Sequence, residues 1–375
     1  MMKYSFSLFL FIALINLNFL KTLNNSKTQS INLEFISQDD QNQERKNLII
    51  GAFSNYNWNK VKIFFKSYQN SGFKNCDCVM FVTNVPQGTI DGMKSCGVVV
   101  YPIPEQYKKE LIINARWKIY GDFLSENQDK YEHVFTADIR DVLFQRDLFQ
   151  LYDKKPYLGI AIEDGILTEG YNRNWLIEAY GEESYKKIMN ERIFCVGSVW
   201  GTTDKFMKFA NEMWTRIKSV PSNTWGIEQA VGNFLIYHDK IFDDCLVKSN
   251  NTDGYVMTIG LTNPKNIVIN LNYEIFNGKG EMAAVVHQYD RHENLNKFIE
   301  SKYDPENLSF QLKFIFIMII LDIIVVIIIF YLLKRKFKKN SFEIEDKKIE
   351  MMKMPKKEID LDDEEINSDS KLINQ

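Results

Sequence analysis

Residues 134–145 read Val-Phe-Thr-Ala-Asp-Ile-Arg-Asp-Val-Leu-Phe-Gln, an apolar run that stops at two carboxylates three positions apart. What precedes it decides how that run is folded. Residues 47–53 (NLIIGAF) form a short apolar stretch of the kind expected of a parallel strand buried on both faces. Trp58, Val61, Phe65 and Tyr68 then recur at helical spacing, which suits a helix packed on a sheet. Residues 79–82 and 98–101 read as the next strands, 105–124 as a longer helix, and 133–137 as the strand that delivers Asp138. Strands interleaved with helices in this way predict an α/β fold with a doubly wound sheet. Such sheets bind ligands beyond the carboxyl ends of their strands. Ala52, Phe53, Ser54 and Asp138 are expected there. Downstream, residues 157–162, 193–200, 267–269 and 283–286 are strand candidates, and 203–217 and 226–237 helix candidates.

The two acids, Asp138 and Asp141, have an obvious chemical use. Hard divalent cations such as Mg²⁺ or Mn²⁺ take oxygen ligands, and acids at a strand end can aim at a ligand in the crevice. Arg140, between them, either neutralises one acid or reaches a phosphate; a plain surface ion-pair turn is the alternative. A second apolar run, residues 283–286, stops at His287, one of four histidines in the chain. A neutral imidazole is a suitable third ligand for such a metal, the alternative being a solvent-exposed histidine at a strand end. Asp164 or Glu163, closing another strand candidate, could face a ligand, although Asp164-Gly165 also reads as a turn. Ile227, Ala230, Val231 and Phe234 share one helical face, so Glu228 is expected to point away from the core. Trp200 and Trp225 could stack on a sugar ring or simply pack.

In their order, these segments resemble the GT-A glycosyltransferases, above all the glycogenin/galactinol-synthase-like group with its Asp-x-Asp pair and late metal-binding histidine. The matching pieces are NLIIGAFSNYNW from residue 47, INARWKIYGDFL from 113, TADIRDVLFQRDLF from 136, CVGSVWGTT from 195, GIEQAVGNFL from 226 and VVHQYDRH from 285. The resemblance implies a Rossmann-like mixed sheet that binds a nucleotide-sugar donor, a UDP-sugar in the first instance, together with Mn²⁺ or Mg²⁺. It implies sugar transfer to a glycan, glycoprotein or glycolipid acceptor. Asp138 and Asp141 would serve ribose and metal, His287 would complete the metal shell, and the helix of Arg116 and Lys118 would touch nucleotide. Glu228 and Gln229 would lie beside the acceptor sugar. Three departures stand out: two residues separate the acids where the family has one, Glu228 replaces an aspartate, and the family's late lysine is missing. Asp141 alone on metal with Asp138 on ribose is therefore a second arrangement, and Arg291 is the candidate for the diphosphate contact.

The rest of the chain speaks to location. A net charge of -3 over 375 residues argues against nucleic acid as a partner. Residues 1–20 carry Lys3 and then an apolar run, the layout of a signal peptide or an uncleaved signal anchor. Residues 21–45 read as a flexible stem and 46–305 as the catalytic domain. Residues 311–333 hold an apolar stretch about long enough to span a bilayer. The basic cluster after it places the tail, 334–375, in the cytosol. The expectation is a single-pass type I membrane protein of the endoplasmic reticulum or Golgi with a lumenal domain. Asp322, mid-span, is either a protonated acid or a contact with a partner inside the membrane. Five cysteines leave room for one or two bridges in an oxidising lumen. A non-catalytic type I membrane protein that uses the same fold as a glycan- or partner-binding module is the competing reading.

Overall fold

The computed structural model describes residues 44–152, 155–303 and 316–336, with Ile349 beyond them. The signal and stem expected over residues 1–45, save Glu44 and Arg45, and the tail expected over 334–375, save residues 334–336 and Ile349, lie outside the described residues.

Strands β1 (Lys46–Ser54), β2 (Cys76–Thr83), β3 (Val99–Pro102) and β4 (Tyr131–Ala137) pair in parallel. Helices α1 (Trp58–Asn70), α2 (Gln87–Ser95) and α3 (Ile112–Asn127) connect them. After the short β5 (Val142–Phe144) come β6 (Leu158–Ile166), α4 (Asn172–Tyr180) and α5 (Glu182–Lys186). β7 (Arg192–Thr202), α6 (Thr203–Ser219), α7 (Ile227–Phe234) and β8 (Leu246–Ser249) follow. The main sheet runs β3-β2-β1-β4-β7-β6-β8, with β7 antiparallel between β4 and β6. The fold is thus α/β, wound on both faces of a mixed sheet. β1 shows why. Leu48 and Ile50 pack with Trp117, Phe206 and Val231 of α3, α6 and α7, whereas Ile49 and Phe53 pack with Val61, Phe65 and Met93 of α1 and α2. A strand covered on both sides must be apolar throughout.

A second sheet of three strands, β5-β12-β9, is completed by β9 (Val256–Thr258) and β12 (Val285–His287). β10 (Val268–Ile269) and β11 (Ile275–Phe276) form a hairpin, and α8 (Glu293–Tyr303) packs on α1. Helix α9 (Phe316–Lys336) has 21 residues and a mean hydropathy of 3.2, long and apolar enough to cross a membrane.

Three expectations are corrected. The helix expected over 105–124 breaks: Glu105–Tyr107 is one 3₁₀ turn and α3 starts only at Ile112, because Leu111 is extended and interrupts the ladder. The strand expected to stop before His287 instead includes it. His287 pairs with Val142 and Thr258 on its two sides and is fully buried, not exposed. All five cysteines are free.

Candidate metal-binding site

The carboxyl ends of β1, β4 and β6 open onto a cavity of about 540 Å³, within the size range of small-molecule sites. Ala52, Phe53 and Ser54 line it at the end of β1. Asp138 follows β4 directly, and its N–H donates to the Gly197 carbonyl of β7 at 2.9 Å. Asp141 precedes β5, and its carbonyl accepts the Gln288 N–H at 2.8 Å. These two backbone bonds tie three distant segments together.

Their side chains meet. His287 Nε2 lies 3.6 Å from Asp138 Oδ2 and 3.4 Å from Asp141 Oδ1. One ligand atom from each of the three residues falls within 4.8 Å of the others, close enough to share a metal ion. The other ring nitrogen of His287, Nδ1, faces Ser198 Oγ at 3.2 Å and Cys195 Sγ at 3.5 Å. Nε2 is buried and makes no hydrogen bond. Leaving a buried polar atom unpaired carries a free-energy cost, and a cation coordinated there would remove it. Pinning one ring nitrogen while the other faces two carboxylates is how a protein orients an imidazole ligand. A donor set of two carboxylates and one imidazole could hold a divalent cation.

The charges around the three residues are ordered. Burial opposes ionisation of Asp138, but Arg116 and then His287 hold its carboxyl well below the usual range. Asp141 is likewise depressed, with burial opposed chiefly by His287. Burial also disfavours a charged His287, yet Cys195, Asp141 and Asp138 around it raise its pKa well above the ordinary value. A cation would compete with that proton. Asp141 Oδ2 is braced by Arg140 Nη2 at 2.9 Å and Arg291 Nη2 at 3.4 Å, which leaves Oδ1 toward the histidine. Both arginines also hold Asp290, at 2.7 and 2.6 Å, and both line the cavity.

The remaining predicted residues divide. Arg116 reaches the cavity, donating to Asp138 Oδ1 at 2.7 Å and to both oxygens of Glu228 at 3.0 and 2.9 Å. Glu228 therefore does not stand free for a ligand. Trp117 Nε1 also donates to it at 2.9 Å, and burial raises its carboxyl to about 7 against the pull of Arg116. Gln229 lines the cavity but clamps β7, accepting from the Val196 N–H at 3.0 Å and donating to the Phe194 carbonyl at 2.7 Å. Lys118 pairs with Asp122 and is absent from the cavity wall. So is Asp164, whose carboxylate binds Arg192, Asn251 and Thr262. Its neighbour Glu163 lines the cavity instead. Trp200 is core, packed on Tyr152. Trp225 and Tyr171 are 66% and 69% exposed at the cavity wall, on either side of Trp175. Sequence reasoning missed Tyr171, Trp175 and the bracing by Ser198, Cys195 and Asp290.

No protein-family model matches the chain, and no curated protein matches it. Among solved structures, it is similar to the galactosyltransferase LgtC in complex with donor and acceptor sugar analogs, at 16% identity and a TM-score of 0.41. It is also similar to an active-site mutant of LgtC, at 14% identity and a TM-score of 0.42. Each comparison covers 64% of this chain and 86% of the other.

Proposed function

We propose that this chain is a membrane-anchored, metal-dependent glycosyltransferase of the GT-A type, taking a sugar from a nucleotide-sugar, a UDP-sugar in the first instance, to a glycan, glycoprotein or glycolipid. The observation that carries the reading is the meeting of Asp138, Asp141 and the unpartnered His287 Nε2 at the carboxyl edge of the sheet. Those three residues would hold Mn²⁺ or Mg²⁺, which when bound stabilises the charge of the departing diphosphate as a Lewis acid.

The sheet order supports a placement of the other parts. β1 and β6 flank β4 and β7, so the cavity runs from Ala52–Ser54 past Asp138 to the aromatic wall of Tyr171, Trp175 and Trp225. The nucleotide lies at the β1 end, where Arg116 fixes Asp138 for a ribose or metal contact. Arg291, with its side chain 45% exposed, turns toward the diphosphate. The acceptor sugar lies on the aromatic wall, where flat apolar rings with polar edges suit a pyranose face. Holding both substrates in one cavity supplies much of the rate by positioning alone. Helix α9 is the anchor. Lys334, Arg335 and Lys336 at its end support a cytosolic C-terminus and hence a lumenal domain, in the endoplasmic reticulum or Golgi on this reading. Asp322 in that span is either a protonated acid or a contact with a basic side chain of a membrane partner. Loss of a co-purifying protein in Asp322→Leu tests this.

The test of the site is calorimetry of UDP with Mn²⁺ on the full chain in mild detergent, followed by hydrolysis of a panel of nucleotide-sugars. Asp141→Ala and His287→Ala are expected to abolish metal-dependent binding and hydrolysis while the melting temperature holds. Unchanged turnover in both removes the assignment. The exposed Tyr171 and Trp225 also suit a second reading, a non-catalytic glycan-binding module. Glycan binding without any metal-dependent nucleotide binding would select it.

A further inference from the structure

The loop of the β10–β11 hairpin is the most exposed apolar feature of the domain. Leu271 at its tip is 97% exposed, with Val268 at 51% and Ile269 at 38% on the adjoining strand. The loop is rigidly built. The Asn270 carboxamide oxygen accepts the N–H groups of Asn272 at 2.9 Å and Glu274 at 3.0 Å, and its amide donates to the Glu274 carboxylate at 2.6 Å. These bonds close the loop beneath Leu271 and hold the leucine outward. At its base, Gln145 accepts the Ile275 N–H at 2.8 Å and donates to the carbonyls of Ile275 and Ala283.

The hairpin also packs against the last element before α9. Tyr273 stacks on Phe298 of α8 with ring centroids 4.7 Å apart, and Lys302 Nζ donates to the Asn272 carbonyl at 3.2 Å. Phe298 is itself 44% exposed. Helix α8 ends at Tyr303, whose carbonyl accepts Lys66 Nζ of α1 at 3.0 Å, and α9 begins at Phe316. The interval allows at most roughly 45 Å even fully extended. Leu271 is thus carried beside the end of α8, where the chain leaves the described domain.

We propose that the β10–β11 loop, led by Leu271, inserts into the surface of the bilayer that α9 enters, and so fixes the orientation of the domain on the membrane. The proposal rests on reading α9 as a membrane helix. A bilayer fits better than a second protein because the apolar group projects from a narrow, convex loop. A stable protein interface buries about 800 Å² on each partner, whereas lipid needs no complementary surface. Charges at the loop are mixed, Lys302 against Glu274. The contact is therefore apolar, without dependence on anionic headgroups of the kind a basic patch would create.

The test uses the full chain in phosphatidylcholine nanodiscs, with an environment-sensitive fluorophore on Leu271→Cys and signal from the unsubstituted chain subtracted. Glu183→Cys is the control, since Glu183 lies on α5, which packs on the opposite face of the main sheet from α1. Ile327→Cys in α9 reports separately on whether the helix is in lipid. A spin label on the lipid chains is expected to quench the probe at 271 several-fold more than that at 183. Adding phosphatidylserine should leave the ratio unchanged. Quenching at 327 but equal, weak quenching at 271 and 183 overturns the proposal. So does a shift at 271 that depends on protein concentration and not on the spin label, which would mark contact with a second copy. Absence of quenching at 327 removes the membrane reading of α9, and the proposal with it.

Discussion

Gly197 offers the sharpest test of whether the three converging side chains form a site. A methyl group built on its Cα would sit 2.5 Å from His287 Cε1 and 2.6 Å from Asp138 Oδ2. Ordinary contact begins near 3.4 Å, so in Gly197→Ala the ring must retreat by about 0.9 Å and the carboxylate by about 0.8 Å. His287 is fully buried and has nowhere to go, while Asp138 is held from behind by Arg116 at 2.7 Å. Metal–ligand distances tolerate roughly ±0.2 Å, and displacing the support of a ligand typically costs roughly 10–100-fold in metal affinity, or about 1.4–2.8 kcal/mol. Overpacking of a tight interior adds roughly 1–3 kcal/mol of lost stability. Mn²⁺ binding is measured by electron paramagnetic resonance of the free ion, with a thermal melt on the same sample. The expected result is a folded variant whose Mn²⁺ affinity has fallen at least tenfold. Wild-type affinity in folded Gly197→Ala would mean that the metal, if it binds, sits elsewhere.

Three further outcomes follow from the same geometry. Glu228→Leu leaves the Arg116 guanidinium buried beside Asp138 alone, so the chain should lose roughly 3–5 kcal/mol of stability, read by denaturant unfolding. Trp225→Ala should raise the acceptor KM and leave donor hydrolysis unchanged, because the residue belongs to the exposed aromatic wall with Trp175 and touches none of the three candidate ligands; equal loss of both would refute that division. Lys118→Ala should leave nucleotide binding untouched and cost under about 1 kcal/mol, since its partner Asp122 is half-exposed.

The sheet was legible where strands are long and buried. β1 and β4 are apolar on both faces, a pattern that only a central strand explains. β5 and β9 are three residues each, too short to show a period; β12 was expected within 283–286, but its pairing is set by a fold that brings Val142–Phe144 antiparallel onto Val285–His287. One misreading was avoidable. Arg116 and Lys118 stand two positions apart on one helix, about 200° around its axis, so both cannot face the same ligand. Between Asp164 and Glu163, neighbours that face opposite sides of β6, it is Glu163 that lines the cavity. Other features had no local signal. Helical periodicity put Glu228 off the apolar face, yet the residue is buried, and that Arg116 arrives from another helix to claim it depends on how α3 and α7 pack. Ser198 reaches His287 only because β7 runs antiparallel beside β4, with Ser198 opposite Ala137.

The spacing of the acids was the strongest sequence argument against a site, and the local fold answers it. With two residues between Asp138 and Asp141, a continuous strand would send the carboxylates to opposite faces. The chain instead leaves β4 at Ala137 and re-enters a different sheet at Val142. Ile139 turns inward, 4% exposed, and its side chain lies over Gly51 of β1, where a Cβ would meet Ile139 Cδ1 at 2.6 Å. A glycine inside an otherwise apolar strand marks such a close approach. Arg140 turns outward and braces Asp141 from its far oxygen. The two intervening residues thus have opposite duties. One anchors the turn in the core and the other supplies a counter-charge, and both carboxylates are left free to face one imidazole. A wider spacing is compatible with a shared cation when the chain between the acids is a corner, and Gly51 is what makes room for that corner.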